Sequence, residues 1–368
     1  MINNPSLIGS TTHFYSAVCA MVSSATAGYL CALVAMVLAG SWQAAVKHES
    51  IRKNEVHPGV LNLYYAFGFF LASWSACAVE YSDAYSFTSW GLLGGFLFDC
   101  SMILNMAVSF PTLGVAVGSG IASSVVVLTS FIWSAAVFDQ DLRSVSMACF
   151  GVVIVIIGLN TIIFTGRYFA TTVVPGRLDR VIAAKGTQSS QQTEEASLLP
   201  AEKEQLEVKP DLAFLLAVLG AILAGIFGGS YLVPSMACCA NIGIMFLPSM
   251  GIGCLISAPF LSAMTLLFVP ENTSHPVIPT YEAFSETVVW GMLGGAVSSL
   301  AIIFIIKAIN DIDYVVATTL AQCSIFITGL WGWIFLGEFK GSKAVSWFFA
   351  GAAVLVAGAM IVAHYGHK

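Results

Sequence analysis

The sequence predicts an all-α membrane protein with ten transmembrane helices arranged as two inverted five-helix repeats. Three observations lead there. Of the 368 residues, 58% are apolar and 9% are charged, against about 25% charged in an ordinary soluble domain. The apolar residues fall in continuous runs near the roughly 20 residues that cross a bilayer as a helix. The two halves share spaced tryptophans and glycines. A mean hydropathy of +0.86 excludes an ordinary soluble fold, and the same composition excludes collagen-like, disordered and disulfide-scaffold chains.

Ten runs qualify, at about 26–46, 59–80, 88–108, 113–137, 145–165, 211–234, 246–269, 287–308, 313–336 and 344–364. They are continuous rather than alternating, which favours helices over a β-barrel. Residues 14–26 are also apolar, without the basic stretch of a cleaved signal peptide. Thirteen of the 34 acidic and basic residues lie in 167–211, a stretch that also holds the polar run Gly186 to Gln192. The predicted organisation is an N-terminal segment over 1–25, a first five-helix unit over 26–166, a flexible linker over 167–210 and a second unit over 211–368.

Lysine and arginine set the orientation. With alternate connections assigned to two faces, one face holds 11 of them, including the linker bases, and the other holds Arg143, Lys307 and Lys368. The richer face is expected to be cytoplasmic. Both termini then lie outside the cell or in a lumen, and the Asn272-Thr273-Ser274 sequon stays unglycosylated.

Trp90-Gly91-Leu92-Leu93-Gly94-Gly95 matches Trp290-Gly291-Met292-Leu293-Gly294-Gly295 at an offset of 200. The same offset pairs Trp133 with Trp333, Gly151 with Gly351, Gly158 with Gly358 and Arg143 with Lys343. Gly40-Ser41-Trp42 matches Gly229-Ser230-Tyr231 at an offset of 189. Five spans is an odd number, so the second unit is inverted relative to the first. Inverted repeats are a mark of alternating-access carriers, with the substrate near mid-membrane between them.

Leu38 to Trp42 with the basic loop to His57-Pro58, the Gly94-Gly95 start of span three with Gly114-Val115 through Ser124-Val125, and Trp331 to Lys340 closing span nine resemble the drug/metabolite transporter superfamily. The nearest branch is that of ureide permeases, glucose/ribose porters and the transmembrane protein 144 family. The resemblance covers nearly the whole chain outside the linker. It implies a carrier whose cavity is lined by spans three, four, eight and nine. Neither Gly186-Thr187 nor Gly341-Ser342-Lys343 completes a phosphate loop, so ATP drive is not expected.

Polar groups inside lipid each need a reason. Asp99, near the centre of span three, is a candidate substrate-binding group and a carboxyl that binds and releases a proton, or else a protonated acid bonded to a neighbouring helix. Asn105 is a second candidate or a helix contact. Ser119 and Ser123 in span four, and Thr318, Thr319 and Gln322 in span nine, suit a cavity for a neutral polar solute, although small hydroxylated residues also serve close helix packing. Trp42, Gln43 and Tyr231 sit in the matching Gly-Ser-aromatic segments, whose rings offer a face for a sugar or base ring, or an interfacial anchor. Lys307 and Glu338 are helix-end or gate candidates. Glu194 with Leu198 and Leu199 forms an acidic dileucine pattern that a clathrin adaptor would read.

The nine cysteines contain no C-x-x-C and the six histidines form no metal motif, so no metal and no cofactor are expected. The expected function is secondary-active transport of a small neutral polar metabolite (a sugar, nucleobase or ureide-type solute), as a symporter if Asp99 carries protons. The alternatives are nucleotide-sugar or phosphorylated-sugar antiport, which needs buried bases for phosphate, and an intramembrane enzyme or scaffold. The expected partners are the solute, H+, the bilayer and the adaptor, with no nucleic acid. The expected site is the plasma membrane or an endosomal, lysosomal or vacuolar membrane.

Overall fold

The computed structural model describes residues 24–46, 48–54, 56–79, 87–113, 115–138, 143–169, 210–238, 243–268, 279–334 and 342–365. Most of the linker lies outside these residues, with the Glu194, Leu198 and Leu199 pattern, as do Glu338 and the Asn272 sequon.

Among the described residues, ten main helical stretches carry the fold. They are α1 (Ser24–Val46), α2 (Pro58–Ser73), α3 (Ser89–Ile103), α4 (Val115–Ile132), α5 (Val145–Phe169), α6 (Pro210–Gly228), α7 (Phe246–Phe268), α8 (Tyr281–Ile312), α9 (Tyr314–Gln322, resumed over Ser324–Ile334) and α10 (Ser342–Tyr365). Among the described residues, nine helices are long and apolar enough to cross a membrane. α5 has a described apolar stretch over Val145–Thr161 within a helix of 25 residues, about 37 Å long. The protein is an all-α, multi-pass membrane protein.

Caps and turn residues set several boundaries. His57 caps α2 by accepting from Gly59 N–H at 3.1 Å, with Pro58 at the first helical position. Thr88 caps α3 through Trp90 N–H, and Thr280 caps α8 through Ala283 N–H. The cap at Thr280 starts α8 six residues before the expected 287. Asp313, with φ of 68°, turns α8 directly into α9. α3 continues as a π-helical segment over Leu104–Ser109, and α4 as another over Trp133–Val137.

The most extensive packing joins the first five helices to the last five: α5 with α10, α1 and α2 with α8, α3 and α2 with α7, and α4 with α6. Glycine makes this possible. A Cβ at Gly95 would meet the Met250 carbonyl and Cys254 nitrogen of α7, and one at Gly295 would meet the Tyr65 carbonyl and Phe69 nitrogen of α2. Gly68 lies against Met292 and Gly253 against Leu92. Gly158 lies against Leu355 and Gly358 against Val155. In lipid, helices gain little from hiding apolar side chains from one another, so close van der Waals contact across small residues does much of the holding.

Hydrogen bonds repeat the same reciprocity. Trp133 Nε1 donates to Ser230 Oγ at 2.9 Å, and Trp331 Nε1 donates to Ser41 Oγ at 3.1 Å. The partner of Trp133 in this exchange is Trp331, not the Trp333 that an ungapped offset of 200 selects. The offset between α4 and α9 is therefore two shorter than that between α3 and α8. Gly40 against Ile327 and Ser324, and Gly229 against Thr129 and Val126, follow the shorter spacing.

Candidate functional site

A cavity of about 120 Å³ opens among the helices. α1 contributes Ala39, Trp42 and Gln43, and α2 contributes Tyr65. Phe98, Ser101 and Met102 come from α3, and Asn105 from its π-helical continuation. α4 gives Ser119, Ala122, Ser123 and Val126, and α8 gives a strip from Ser298 to Ile305. Phe110, Gly228, Tyr231, Ala321, Gln322 and Ser324 complete it. The described lining holds no Asp, Glu, Lys, Arg or His.

Three irregular backbone segments meet here. The π-helical segment of α3 begins one residue before Asn105, α6 ends at Gly228, and α9 breaks at Cys323 between Gln322 and Ser324. Broken helices at membrane depth are tolerated where they line a protein cavity, because water or a ligand then reaches the freed backbone groups. π-bulges gather at functional sites for a similar reason.

One wall is aromatic. Trp42 meets Tyr65 edge-on with ring centres 5.5 Å apart, Tyr65 stacks on Phe98 at 6.3 Å, and Phe98 meets Tyr231 edge-on at 5.2 Å. The row crosses from α1 to the turn after α6. Polar groups stand elsewhere on the lining. Asn105 donates from Nδ2 to its own helix at Ser101 O, 3.1 Å away, which leaves Oδ1 without a partner. Gln43 Oε1 is likewise buried without a partner. A buried unpaired acceptor costs about 1–3 kcal/mol, so each is a standing demand for a donor. Two unpaired amide oxygens and a row of rings on one lining suit a flat or ring-shaped solute that carries N–H or O–H groups.

Seven candidates from the sequence come together on this lining: Trp42, Gln43, Asn105, Ser119, Ser123, Tyr231 and Gln322. Thr318 and Thr319 stay off it. Thr318 Oγ1 is occupied by the Tyr314 carbonyl at 2.6 Å, and Thr319 is fully buried in α9. Lys307 is exposed on α8, one turn before Asp311, and stays off the lining.

Asp99 does not face the cavity. Successive residues of a helix point about 100° apart, so Phe98 takes the cavity side and Asp99 turns toward α2 and α7. Its Oδ1 accepts from Asn62 Nδ2 at 2.9 Å and its Oδ2 from Ser257 Oγ at 2.7 Å. Asp99 and Asn62 are both fully buried. Asn62 has a sequence signal as an amide in span two, but it lies three residues from the expected span start, where polar side chains are common. Ser257 and the cavity aromatics Tyr65, Phe98 and Phe110 carry no sequence signal of their own, because serine and aromatics are common in membrane helices.

No family model matches the sequence, and no curated protein matches it. Six chains of solved structures do match. One of them, described only as the crystal structure of a protein, superposes with a TM-score of 0.55 at 14% sequence identity, over 91% of this chain and 96% of its own. At that identity the likeness concerns the fold alone, and it runs nearly end to end in both chains.

Proposed function

We propose that this protein is a secondary-active carrier of a small neutral polar solute, working by alternating access in the manner of the drug/metabolite transporter superfamily. The observation that carries the reading is the charge-free cavity walled by a row of aromatic rings and holding two unpaired amide oxygens, Gln43 Oε1 and Asn105 Oδ1. Its lining draws on both halves of the chain. A volume of about 120 Å³ is somewhat below the roughly 150 Å³ that accommodates benzene. A sugar or nucleobase ring therefore enters a more open state than this one. The neutral lining also weighs against nucleotide-sugar antiport, because a phosphate calls for arginine or lysine.

The ten helices form two inverted repeats, 26–166 and 211–368, joined by the linker 167–210. Support comes from the reciprocal contacts. Exchanging α1–α5 for α6–α10 turns Gly95 on Met250 into Gly295 on Tyr65, Gly68 on Met292 into Gly253 on Leu92, and the Trp133–Ser230 bond into Trp331–Ser41. With five crossings in each half, such an exchange turns one half over. The excess of lysine and arginine assigns the linker to the cytoplasm and both termini to the opposite side. The acidic dileucine pattern of the linker would then face clathrin adaptors and route the carrier to endosomes, lysosomes or a vacuole.

Uptake by proteoliposomes offered glucose, ribose, uracil, xanthine and allantoin tests the reading. Saturable uptake of at least one, competed by its unlabelled form, is expected. Folded, correctly inserted protein that moves none of them overturns it.

A further inference from the structure

The described lining of the solute cavity leaves out Asp99, the one deeply buried carboxylate among the described residues, and a second polar centre forms around it on another face of α3. Asn62 of α2 and Ser257 of α7 each give a hydrogen bond to one carboxyl oxygen. Asn62 Nδ2 also lies 3.5 Å from Ser262 Oγ, and Asn62 Oδ1, in a fully buried side chain, has no partner. No described lysine, arginine or histidine pairs with the carboxyl. The titratable groups in electrostatic reach are the phenol of Tyr65 on α2, the thiol of Cys254 on α7 and that of Cys100 on α3 itself. All three are ordinarily neutral at physiological pH. A lone carboxylate is costly in the membrane interior, so the centre needs a positive charge that it does not carry.

The hydrogen bonds show how that charge is accommodated. Ser257 Oγ lies 2.7 Å from Asp99 Oδ2 and 3.1 Å from the Cys254 carbonyl, yet it has a single hydrogen to give. With the carboxylate charged, that hydrogen points at Asp99. When a proton binds, a new O–H bond forms at Asp99 Oδ2 and donates to Ser257 Oγ, while the serine hydrogen turns to the Cys254 carbonyl. Both states satisfy these atoms with the heavy atoms in place. Polar groups continue from here toward the capped end of α2: Thr265 bonds Ser262 O at 2.7 Å, and Gly59, whose N–H His57 caps, packs against Thr265.

We propose that Asp99, Asn62, Ser257 and the Cys254 carbonyl form a proton-binding site physically separate from the solute cavity, so that proton and solute are carried together rather than in competition for one carboxylate. This rests on the carrier reading above and assigns its driving ion. Phe98 and Asp99, neighbours on α3, face the two sites. Tyr65 lines the cavity and also lies in electrostatic reach of Asp99, and Phe69 packs on Phe98 with ring centres 4.7 Å apart. A movement of α3 that reshapes one site is therefore felt at the other.

Infrared difference spectroscopy on the full chain in detergent, with no solute present, reads the site directly. A carboxylic-acid carbonyl band is expected to rise as pH falls. It should vanish in Asp99→Asn, shift in Ser257→Ala and stay unchanged in Asn105→Leu. Asp99→Glu, which keeps a carboxyl, should retain a displaced band and serves if Asp99→Asn fails to fold. A band that survives in Asp99→Asn, ignores pH over the range in which the protein stays folded, or follows sodium rather than pH overturns the proposal. In proteoliposomes, Asp99→Asn should lose the stimulation of uptake by a pH gradient yet keep gradient-free counterflow of the same panel solute. Loss of both overturns the separation of the sites. If wild type moves no panel solute, the carrier reading fails while the infrared result still decides the proton site.

Discussion

Trp331 donates its indole N–H to the hydroxyl of Ser41 across 3.1 Å and 290 positions of sequence. The bond pins the second segment of α9 to α1 beside the cavity, next to Trp42. Trp133 and Ser230 make the corresponding bond between α4 and the turn after α6. Hydrogen bonds between membrane helices are individually modest, so the effect of losing one is readable without loss of the fold.

Trp331→Phe and Ser41→Ala are each expected to lower stability by about 1 kcal/mol, and the double variant by little more than either. Thermal unfolding of the protein in detergent measures this. Additive losses would mean that the two side chains act independently.

The glycine contacts give a sharper contrast. Gly95→Ala and Gly295→Ala place a methyl group against a facing helix backbone, which cannot step aside, and should abolish monodisperse protein on size-exclusion chromatography. Gly294→Ala, whose new Cβ would lie 3.2 Å from a Val46 methyl group, should elute as wild type, since that side chain yields by a few tenths of an ångström.

Asn105→Leu should separate stability from transport. It removes an unpaired buried acceptor, which on its own costs about 1–3 kcal/mol, so the empty protein should unfold at the same or a higher temperature. Uptake should fall about tenfold, the equivalent of one lost hydrogen bond to the solute at about 1.4 kcal/mol. Gln43→Leu should behave alike. A variant that keeps full uptake removes that amide from the recognition surface.

Ser123→Phe puts a ring into a cavity of about 120 Å³. Ser123 is half-buried on the lining, so the ring has room to enter without displacing a helix. Folded protein with uptake at the level of empty liposomes is the expected result.

Much of the membrane architecture is legible in the sequence, because bilayer thickness imposes a length on every span. The runs at 59–80, 88–108 and 246–269 fall close to Pro58–Val79, Ser89–Ser109 and Gly243–Thr265. The start of α8 is less so, since Thr280 and Glu282 supply a helix N-terminus ahead of the apolar run. Cavity residues are legible when they are amides in spans, as Asn105 and Gln322 are. Direction within a helix is harder. Asp99 and Phe98 differ by one step, and which of them faces the cavity depends on how α3 packs against α7 and α2. A glycine as close to its neighbour as Gly95 settles that packing, and the sequence shows the glycine without its partner.

If the protein is the carrier proposed above, the aromatic wall has a kinetic consequence. Under the proposed exchange of halves, Trp42 answers to Tyr231, but Tyr65 answers to Met250 and Phe98 to Ser298. The two halves thus offer different surfaces to a solute, three rings (Trp42, Tyr65 and Phe98) from the first against the Tyr231 ring and the Ser298 hydroxyl from the second. A carrier built this way obeys the same equilibrium from either side of the membrane, yet its half-saturation concentrations for influx and efflux need not agree. Vesicles with protein inserted in both orientations would average the two, and sided measurements would reveal a rectifying device made from nearly equivalent halves.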